Sequence, residues 1–242
     1  GVMGFSMVQN LLNSGISVSV FSRTKEKANP LLNQGATWKE NPAELAEDVD
    51  YLFSMVGYPQ EVEDIYFQKN GVFKSLKKET VIVDMTTSRP DLAKKIEVQA
   101  NEIGAYSLDA PVSGGDIGAR NASLAIMCGG NEKAYDETLG LFKIMGENIK
   151  YFGNAGSGQR VKMSNQILIA STMIGTVEAL LYAERANLDL AKVIELIGQG
   201  AAGCWSLNNL GPRMIKGDWE PGFYVKHFIK DIGIALNDAE KM

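Results

Sequence analysis

The sequence predicts an α/β fold, in which a Rossmann-like doubly wound domain is followed by an all-helical domain and a long helix joins the two. In the first half of the chain, short apolar strands alternate with helices that end at glycine, and no strand pattern follows Phe152. A helical pattern without proline then runs from Gly158 to about Ala186. The expected boundary therefore divides residues 1–157 from residues 158–242.

The elements of the first domain follow from local signals. Short runs of β-branched and other apolar residues predict strands, whereas a glycine end or an Asn-Pro start indicates a helix. The expected strands are Ile16–Phe21, Tyr51–Val56, Val81–Asp84, Tyr106–Ala110 and Leu124–Cys128. The expected helices are Met3–Leu12, Lys25–Gln34, one that begins at Asn41, and Asp91–Ile103. Such an alternation with short connections is typical of a mostly parallel sheet.

Only helices are expected in the second domain. Besides the long helix, apolar periodicity predicts Leu190–Ile197, Leu207–Lys216 and a helix from about Lys226 onward. If Gly1-Val2-Met3-Gly4 is a nucleotide loop, a strand should precede it, and the end at Lys241-Met242 falls inside the predicted last helix, so we expect segments to be missing at both ends.

The composition is that of a globular protein. The 242 residues are 45% hydrophobic and 22% charged, and 24 basic against 29 acidic residues give a formal net charge of −5. A chain without a basic surplus is atypical of proteins that bind nucleic acids or anionic membranes. No uninterrupted apolar run reaches the roughly 18 residues of a membrane span. We therefore expect neither a nucleic acid nor a membrane as partner.

The cysteines indicate the compartment. Cys128 and Cys204 lie far apart in the sequence and lack the spacing of metal ligands. Two isolated cysteines are typical of a reducing environment, so we expect a cytoplasmic protein with no metal site.

A glycine loop opens the first helix. Gly1-Val2-Met3-Gly4 places two glycines at the spacing of the second and third glycines of G-x-G-x-x-G, which allow close approach to a pyrophosphate and close helix packing. The next strand ends at Ser22-Arg23-Thr24, about 20 residues on, where the NAD fingerprint has an acid. Arginine instead suits a 2′-phosphate, which favours NADP over NAD. A surface turn is the alternative.

Two more segments carry polar groups. Ser113-Gly114-Gly115 follows a strand and offers a hydroxyl and two unobstructed N–H groups, which suit a carboxylate, although a plain glycine turn has the same pattern. Lys162, Asn165 and Gln166 share one face of the long helix, either as a functional face or as a solvated stripe. A partly buried lysine near a cationic nicotinamide has a lowered pKa and can act as an acid-base group.

Together these segments resemble the β-hydroxyacid dehydrogenase family, which includes 3-hydroxyisobutyrate dehydrogenase, tartronate semialdehyde reductase and the glyoxylate/succinic semialdehyde reductases. The resemblance covers essentially the whole chain, at matching spacings. Its segments are the glycine loop, Asp109–Gly115, Gly156–Gln166 and Lys230-Asp231.

The resemblance implies a role for each matching residue. Lys162 would be the catalytic acid-base residue, and Asn165 would orient the substrate and the lysine, a role that Gln166 would share. The implied substrate-binding residues are Ser113, Gly114, Gly115, Gln166, Phe223 and Asp231. The implied cofactor-binding residues are Gly1, Val2, Met3, Gly4, Ser22, Arg23, Thr24, Val56, Thr87 and Lys230.

The implied activity is hydride transfer between NADP, or NAD, and a small β-hydroxyacid or semialdehyde acid. The resemblance also implies a homodimer or homotetramer that packs through the helical domain. Three alternatives stay open: a 6-phosphogluconate dehydrogenase-like enzyme, an imine reductase and a non-catalytic interaction module. Lys216-Gly217-Asp218-Trp219 departs from the Lys-Gly-Thr-Gly-x-Trp signature of the first, and Lys162 argues against the other two.

Overall fold

The computed structural model describes residues 1–220 and 222–242. They form two compact units, one of Gly1–Met163 with Val225–Met242 and the other of Ser164–Tyr224. Residues 158–163 and 225–242, which the sequence assigns to the helical domain, thus pack with the first unit. One reason is a small apolar cluster of Met163 with Ile234 and Ala235, which joins the last helix to the start of the long one.

The first unit contains the strands and most of the helices. Its strands are β1 (Ser19–Val20), β2 (Thr37–Trp38), β3 (Tyr51–Ser54), β4 (Val81–Asp84), β5 (Tyr106–Asp109), β6 (Val112–Ser113), β7 (Leu124–Gly130) and β8 (Gly146–Tyr151). Its helices are α1 (Val2–Asn13), α2 (Asn29–Leu32), α3 (Pro42–Ala46), α4 (Pro59–Phe67), α5 (Pro90–Ile103), α6 (Gly115–Arg120), α7 (Glu132–Met145), the start of α8 (Ser157–Arg185), and α11 (Val225–Ala239). Two short 3₁₀ helices are Lys25–Ala28 and Val72–Lys74.

The second unit is helical in its described residues, as the sequence predicts. It contains the remainder of α8, then α9 (Leu190–Ile197), a π-helical turn (Ser206–Leu210) and α10 (Gly211–Ile215). Its core is the buried cluster of Leu180, Ile194 and Leu207.

The sheet is dominated by parallel pairs. Strands β3, β4 and β5 are parallel neighbours, β7 and β8 are parallel, and β7 runs antiparallel to both β5 and β6. Strands β1 and β2 form a separate parallel pair. The predicted α/β fold is confirmed. In the register of β4 and β5, Asp84 lies opposite Asp109, so two carboxyl groups meet at the ends of neighbouring strands.

Several predicted elements have different bounds in the structure. The strand predicted at Ile16–Phe21 is only β1, and the helix predicted at Lys25–Gln34 is a 3₁₀ turn followed by α2. Pro30 lies in the first turn of α2, where its missing N–H interrupts no bond, whereas it would break a continuous helix. Pro212 similarly separates α10 from the π-helical turn. Strands β2 and β6 have two residues each, too few for a periodicity to show.

Helix α8 differs from the sequence expectation in one respect. By length and composition alone, this 29-residue helix is long and apolar enough to cross a membrane, and 22% of its most apolar window is buried. Polar and small residues are interspersed among the apolar residues of α8. The mean hydropathy of the helix is high, although it contains no long uninterrupted apolar run. The absence of a membrane partner therefore stays a prediction.

Candidate active site

Lys162 lies near the start of α8 and is buried, with 7% of its surface exposed. Two charges from the start of α11 act on it. Burial lowers the pKa of Lys162 to about 8, while the charge of Asp231 raises it and that of Lys230 lowers it further. Lys230 and Asp231 form an ion pair with a 3.0 Å separation between Nζ and Oδ1. A lysine in these surroundings exchanges a proton near neutral pH.

The loop after β4 joins this group. The Nζ of Lys230 donates a hydrogen bond of 2.6 Å to the carbonyl oxygen of Thr87. Next to it, the hydroxyl of Thr86 accepts a 3.0 Å hydrogen bond from the backbone N–H of Val56, in the loop after β3. Of the predicted site residues, the structure thus brings Lys162, Lys230, Asp231 and Thr87 together, with Val56 adjoining through Thr86.

A buried carboxylate holds the start of α8. Asp109, the last residue of β5, accepts hydrogen bonds from the backbone N–H groups of Gly156 at 2.7 Å and Gln159 at 2.8 Å. These bonds oppose the effect of burial, which raises the pKa of Asp109 to about 7. The sequence alone predicts no separate role for this aspartate. An aspartate at a strand end and a glycine-rich helix start are the signals that could have indicated it.

Glycine is required where α8 approaches the sheet. A β-carbon at Gly158 would overlap the carbonyl oxygen of Met127 and lie 2.5 Å from the carbonyl oxygen of Asp109. The backbone of α8 therefore lies directly against β5 and β7, which fixes Lys162 relative to the strand ends.

The Ser113–Gly115 turn joins β6 to α6. Gly114 and Gly115 have φ angles of +129° and +63°, a conformation that favours glycine. Both glycines are exposed and Ser113 is half-buried, so the hydroxyl and the backbone N–H groups border on solvent. Such a turn can bind a small carboxylate.

The predicted binding site for the phosphates of the cofactor lies at the start of α1. No side chain caps this helix and no acid occupies its first turn, so its positive end is not neutralised. The charges of Lys27 and Arg23 act on the backbone nitrogen of Gly1, so both cations lie near the glycine loop. The sequence alone predicts no role for Lys27. Helix start and cations together fit the phosphates of a dinucleotide.

Arg23 has a partner that the sequence did not predict. Its Nη1 lies 2.7 Å from Oε1 of Glu61, while 83% of the Arg23 side chain remains exposed. The other carboxylate oxygen of Glu61 accepts hydrogen bonds from the backbone N–H groups of Gly57 at 2.8 Å and Tyr58 at 3.1 Å. Ser22 is half-buried and Thr24 exposed beside it. An acid thus lies beside the arginine after all, supplied by α4 and not by the end of β1.

Three predicted site residues belong to the second unit. Asn165 and Gln166 follow Lys162 along α8, and the Nδ2 of Asn165 donates a 2.7 Å hydrogen bond to Oε1 of Gln166. Gln166 is buried, whereas Phe223 is 53% exposed. Their roles toward a substrate stay predictions.

Residues 1–220 and 222–242 contain no group of three or more His, Cys, Asp or Glu residues that could hold a metal ion. The histidine, His227, packs its ring against Tyr58 at a centroid distance of 5.1 Å.

Comparison with known proteins decides the family. Residues 1–153 match the family described as the NAD binding domain of 6-phosphogluconate dehydrogenase. Residues 156–242 match the family described as NAD-binding of NADP-dependent 3-hydroxyisobutyrate dehydrogenase. The chain is 46% identical over 243 residues to "Probable 3-hydroxyisobutyrate dehydrogenase-like 1, mitochondrial" of Arabidopsis thaliana, covering 100% of this chain and 72% of that protein. The chain belongs to the 3-hydroxyisobutyrate dehydrogenase family.

Two further relatives of this 3-hydroxyisobutyrate dehydrogenase family member support the same family. The 2-hydroxy-3-oxopropionate reductase of Escherichia coli is 38% identical, and the match covers 100% of this chain and 82% of the reductase. The structure of 3-hydroxyisobutyrate dehydrogenase from Mycobacterium tuberculosis with L-serine superimposes with a TM-score of 0.92 at 27% identity, over 100% of this chain and 84% of that one. The protein is thus an NAD(P)-dependent oxidoreductase of the hydroxyacid dehydrogenase type.

Proposed function

We propose that the protein reduces a small semialdehyde acid to the corresponding hydroxyacid, and catalyses the reverse oxidation, with Lys162 as the acid-base group; a β-hydroxyacid is the product expected from the family. The buried Lys162, whose pKa is lowered to about 8, carries the proposal. An acid-base group is most effective when its pKa lies near the working pH. The ion pair of Lys230 and Asp231 lies beside it and makes the site polar where the reacting oxygen would bind.

The protonation state of Lys162 sets the direction in which the proton is transferred. In reduction, the ammonium form of Lys162 donates a proton from Nζ to the carbonyl oxygen of the substrate. In oxidation, the neutral amine accepts the hydroxyl proton. The bound nicotinamide supplies or accepts the hydride. The protein contributes orientation and charge, since α8 is fixed against β5 by Asp109.

The carboxylate of the substrate would bind at the Ser113–Gly115 turn. The left-handed conformations of Gly114 and Gly115 expose backbone N–H groups there, and such groups bind oxyanions. Asp231 would contribute to the substrate site, and the family resemblance implies substrate contacts for Asn165, Gln166 and Phe223.

NADP is the proposed cofactor in preference to NAD. Arg23 supports the choice, because a guanidinium binds a 2′-phosphate through charge-assisted hydrogen bonds. Lys27 adds a second cation near the glycine loop. Thr24, Ser22 and Val56 would contact the adenosine side, while Thr87 and Lys230 would face the nicotinamide side.

The substrate class is tested by following the oxidation of NADPH. The substrates are glyoxylate, succinic semialdehyde, tartronate semialdehyde and methylmalonate semialdehyde, with parallel assays in NADH. We expect turnover of at least one semialdehyde acid and a higher kcat/KM with NADPH. Activity on 6-phosphogluconate or a cyclic imine without activity on any of the four acids would contradict the proposal.

We further infer that the protein assembles as a homodimer or homotetramer through its helical unit. Large apolar side chains are exposed along α8, among them those of Ile167, Leu168, Ile174, Leu181 and Tyr182. Extended apolar surface of this kind marks an interaction site. Light scattering after size exclusion should show at least a dimer, and Leu168→Asp should favour the monomer. A monomeric wild type at micromolar concentration would contradict this inference.

A further inference from the structure

We propose that Gln159 is a positioning residue that joins the start of α8 to the Thr86–Ser88 loop and thereby sets Lys162 against Thr87. The inference rests on the proposed function, because Lys162 and Thr87 are the groups that it positions. The sequence alone predicts no role for Gln159.

The side chain of Gln159 is fully buried and uses both ends of its amide. Its Nε2 donates a 2.8 Å hydrogen bond to the carbonyl oxygen of Thr86. Its Oε1 accepts a 2.8 Å hydrogen bond from the backbone N–H of Ser88. The two bonds hold the backbone on both sides of Thr87. A leucine or a methionine of similar size could make neither.

The backbone of Gln159 is fixed independently of its side chain. Its N–H donates to Asp109, which also accepts from Gly156 and so satisfies the start of α8. The Gln159 amide is therefore not needed to cap its own helix. It serves a different segment of the chain, which distinguishes it from an ordinary capping residue.

Gln159 is adjacent to the groups proposed to react, both along α8 and through the Thr86–Ser88 loop. Gln159 and Lys162 are three residues apart in α8 and therefore lie near the same face of the helix. The carbonyl oxygen of Thr87, held between the two Gln159 bonds, accepts the hydrogen bond from Lys230. A displacement of the loop would thus move Thr87 and Lys230 relative to Lys162.

The test uses Gln159→Met in the full-length protein. Methionine keeps the length of the side chain and removes both hydrogen bonds. We expect kcat for semialdehyde reduction to fall roughly 10- to 100-fold, the effect of a small misplacement of reacting groups, while KM stays near the wild-type value. We also expect a larger primary isotope effect with cofactor deuterated at C4, because hydride transfer becomes more strongly rate-limiting.

Thr138→Val is the matched control. Thr138 is also fully buried and donates a 2.7 Å hydrogen bond from Oγ1 to the carbonyl oxygen of Ala134, but it lies within α7. This variant removes a buried hydrogen bond without changing the Thr86–Ser88 loop, so it should keep the wild-type kcat and isotope effect. Equal losses of kcat in the two variants, or an unchanged kcat in Gln159→Met, would overturn the positioning role.

Hydrogen exchange tests the contact without an assay of turnover and without a variant. In the wild-type protein, the amide of Ser88 should exchange as slowly as the amides of α8 near Lys162, because it is bonded to Gln159. Fast exchange of this loop amide would overturn the inference even if the enzyme is active. A slow amide in a protein that turns over no semialdehyde would leave the contact supported and overturn the proposed function.

Discussion

The side chain of Lys230 and the carbonyl oxygen of Thr87 are joined by a hydrogen bond of 2.6 Å across 143 residues of sequence. The bond ties α11 to the loop after β4, beside the buried Lys162. It explains in part why α11 packs with the first unit and not with the other helices of the C-terminal half.

Replacing Lys230 should change the pH dependence of catalysis. The positive charge of Lys230 lowers the pKa of Lys162, so Lys230→Met should raise that pKa. Reduction requires the protonated lysine, and the decline of kcat at alkaline pH should therefore move to higher pH in the variant. A pH profile of kcat for wild type and variant measures the change. A decline that moves to lower pH would contradict the electrostatic role of Lys230.

Arg23 should determine the preference for NADPH. A charge-assisted hydrogen bond to a phosphate contributes about 1.5–3 kcal/mol, so Arg23→Ser should raise KM for NADPH at least about tenfold. KM for NADH should change little. Because Arg23 is largely exposed and its ion pair with Glu61 is at the surface, the free energy of unfolding should also change little.

Lys25→Ser is the control for Arg23. Lys25 lies two residues further along the chain and pairs with Glu40 at 3.4 Å. This variant should leave both KM values unchanged. A parallel loss of NADPH affinity in the two variants would indicate a general charge effect and not a specific phosphate contact.

Two glycines of α8 should respond in opposite ways to alanine. Gly158→Ala places a β-carbon against the carbonyl oxygens of Met127 and Asp109, and overpacking of this kind costs about 1–3 kcal/mol or more. No atom lies within 4 Å of a β-carbon at Gly175, so Gly175→Ala should stabilise the helix by up to about 1 kcal/mol. Urea denaturation measures both. Equal effects would contradict the close approach of α8 to the sheet.

Asp84 should make the folded protein less stable as the pH rises. Burial raises its pKa to about 6, although Thr86 and Ser54 donate hydrogen bonds to it and the charge of Lys230 also lowers the pKa. An unfolded aspartate has a pKa of about 3.9. Between these values the folded state binds more protons, so the contribution of Asp84 is present below pH 4 and is lost as the pH rises through 6.

Asp84→Asn tests that contribution. Between about pH 4 and pH 6, where the folded and unfolded states differ in the protonation of Asp84, the free energy of unfolding should fall less steeply in the variant than in the wild type, as measured in urea at fixed ionic strength. The charge of Asp84 also raises the pKa of Asp109, so its removal in the variant reduces the pH dependence that comes from Asp109 in the same direction. Asp48→Asn, at an exposed pair with Lys77, should leave the slope unchanged. A wild type and an Asp84→Asn variant with parallel slopes would contradict the raised pKa.

Local patterns sufficed to predict much of the fold and the position of Lys162. Strand β4 was predictable because its apolar run is short and has clear limits. The start of α8 near Gly158 was predictable because glycines precede a long stretch without proline. The breaks at Pro30 and Pro212 also have local causes, which the helical predictions at those sites did not weigh.

The partners of the site residues could not be predicted in this way. Asp109 reaches Gly156 across 47 residues, and Glu61 reaches Arg23 from a different helix. Such pairs depend on how strands and helices pack, which no local period encodes. The same holds for Gln159. Its side chain bonds to the backbone carbonyl oxygen of Thr86 and to the backbone N–H of Ser88, and such backbone partners leave no signature in the sequence.

The role of Lys162 is tested most directly by the pH profile of kcat for reduction in the wild type and in Lys162→Ala. An acid-base group contributes about 10²- to 10⁴-fold, so kcat should fall at least about 100-fold in the variant. The wild type should lose activity above about pH 8, where Lys162 loses its proton, and the variant should lack this decline. Equal turnover in the two proteins, or the same alkaline decline in both, would contradict the assignment of Lys162 as the proton donor.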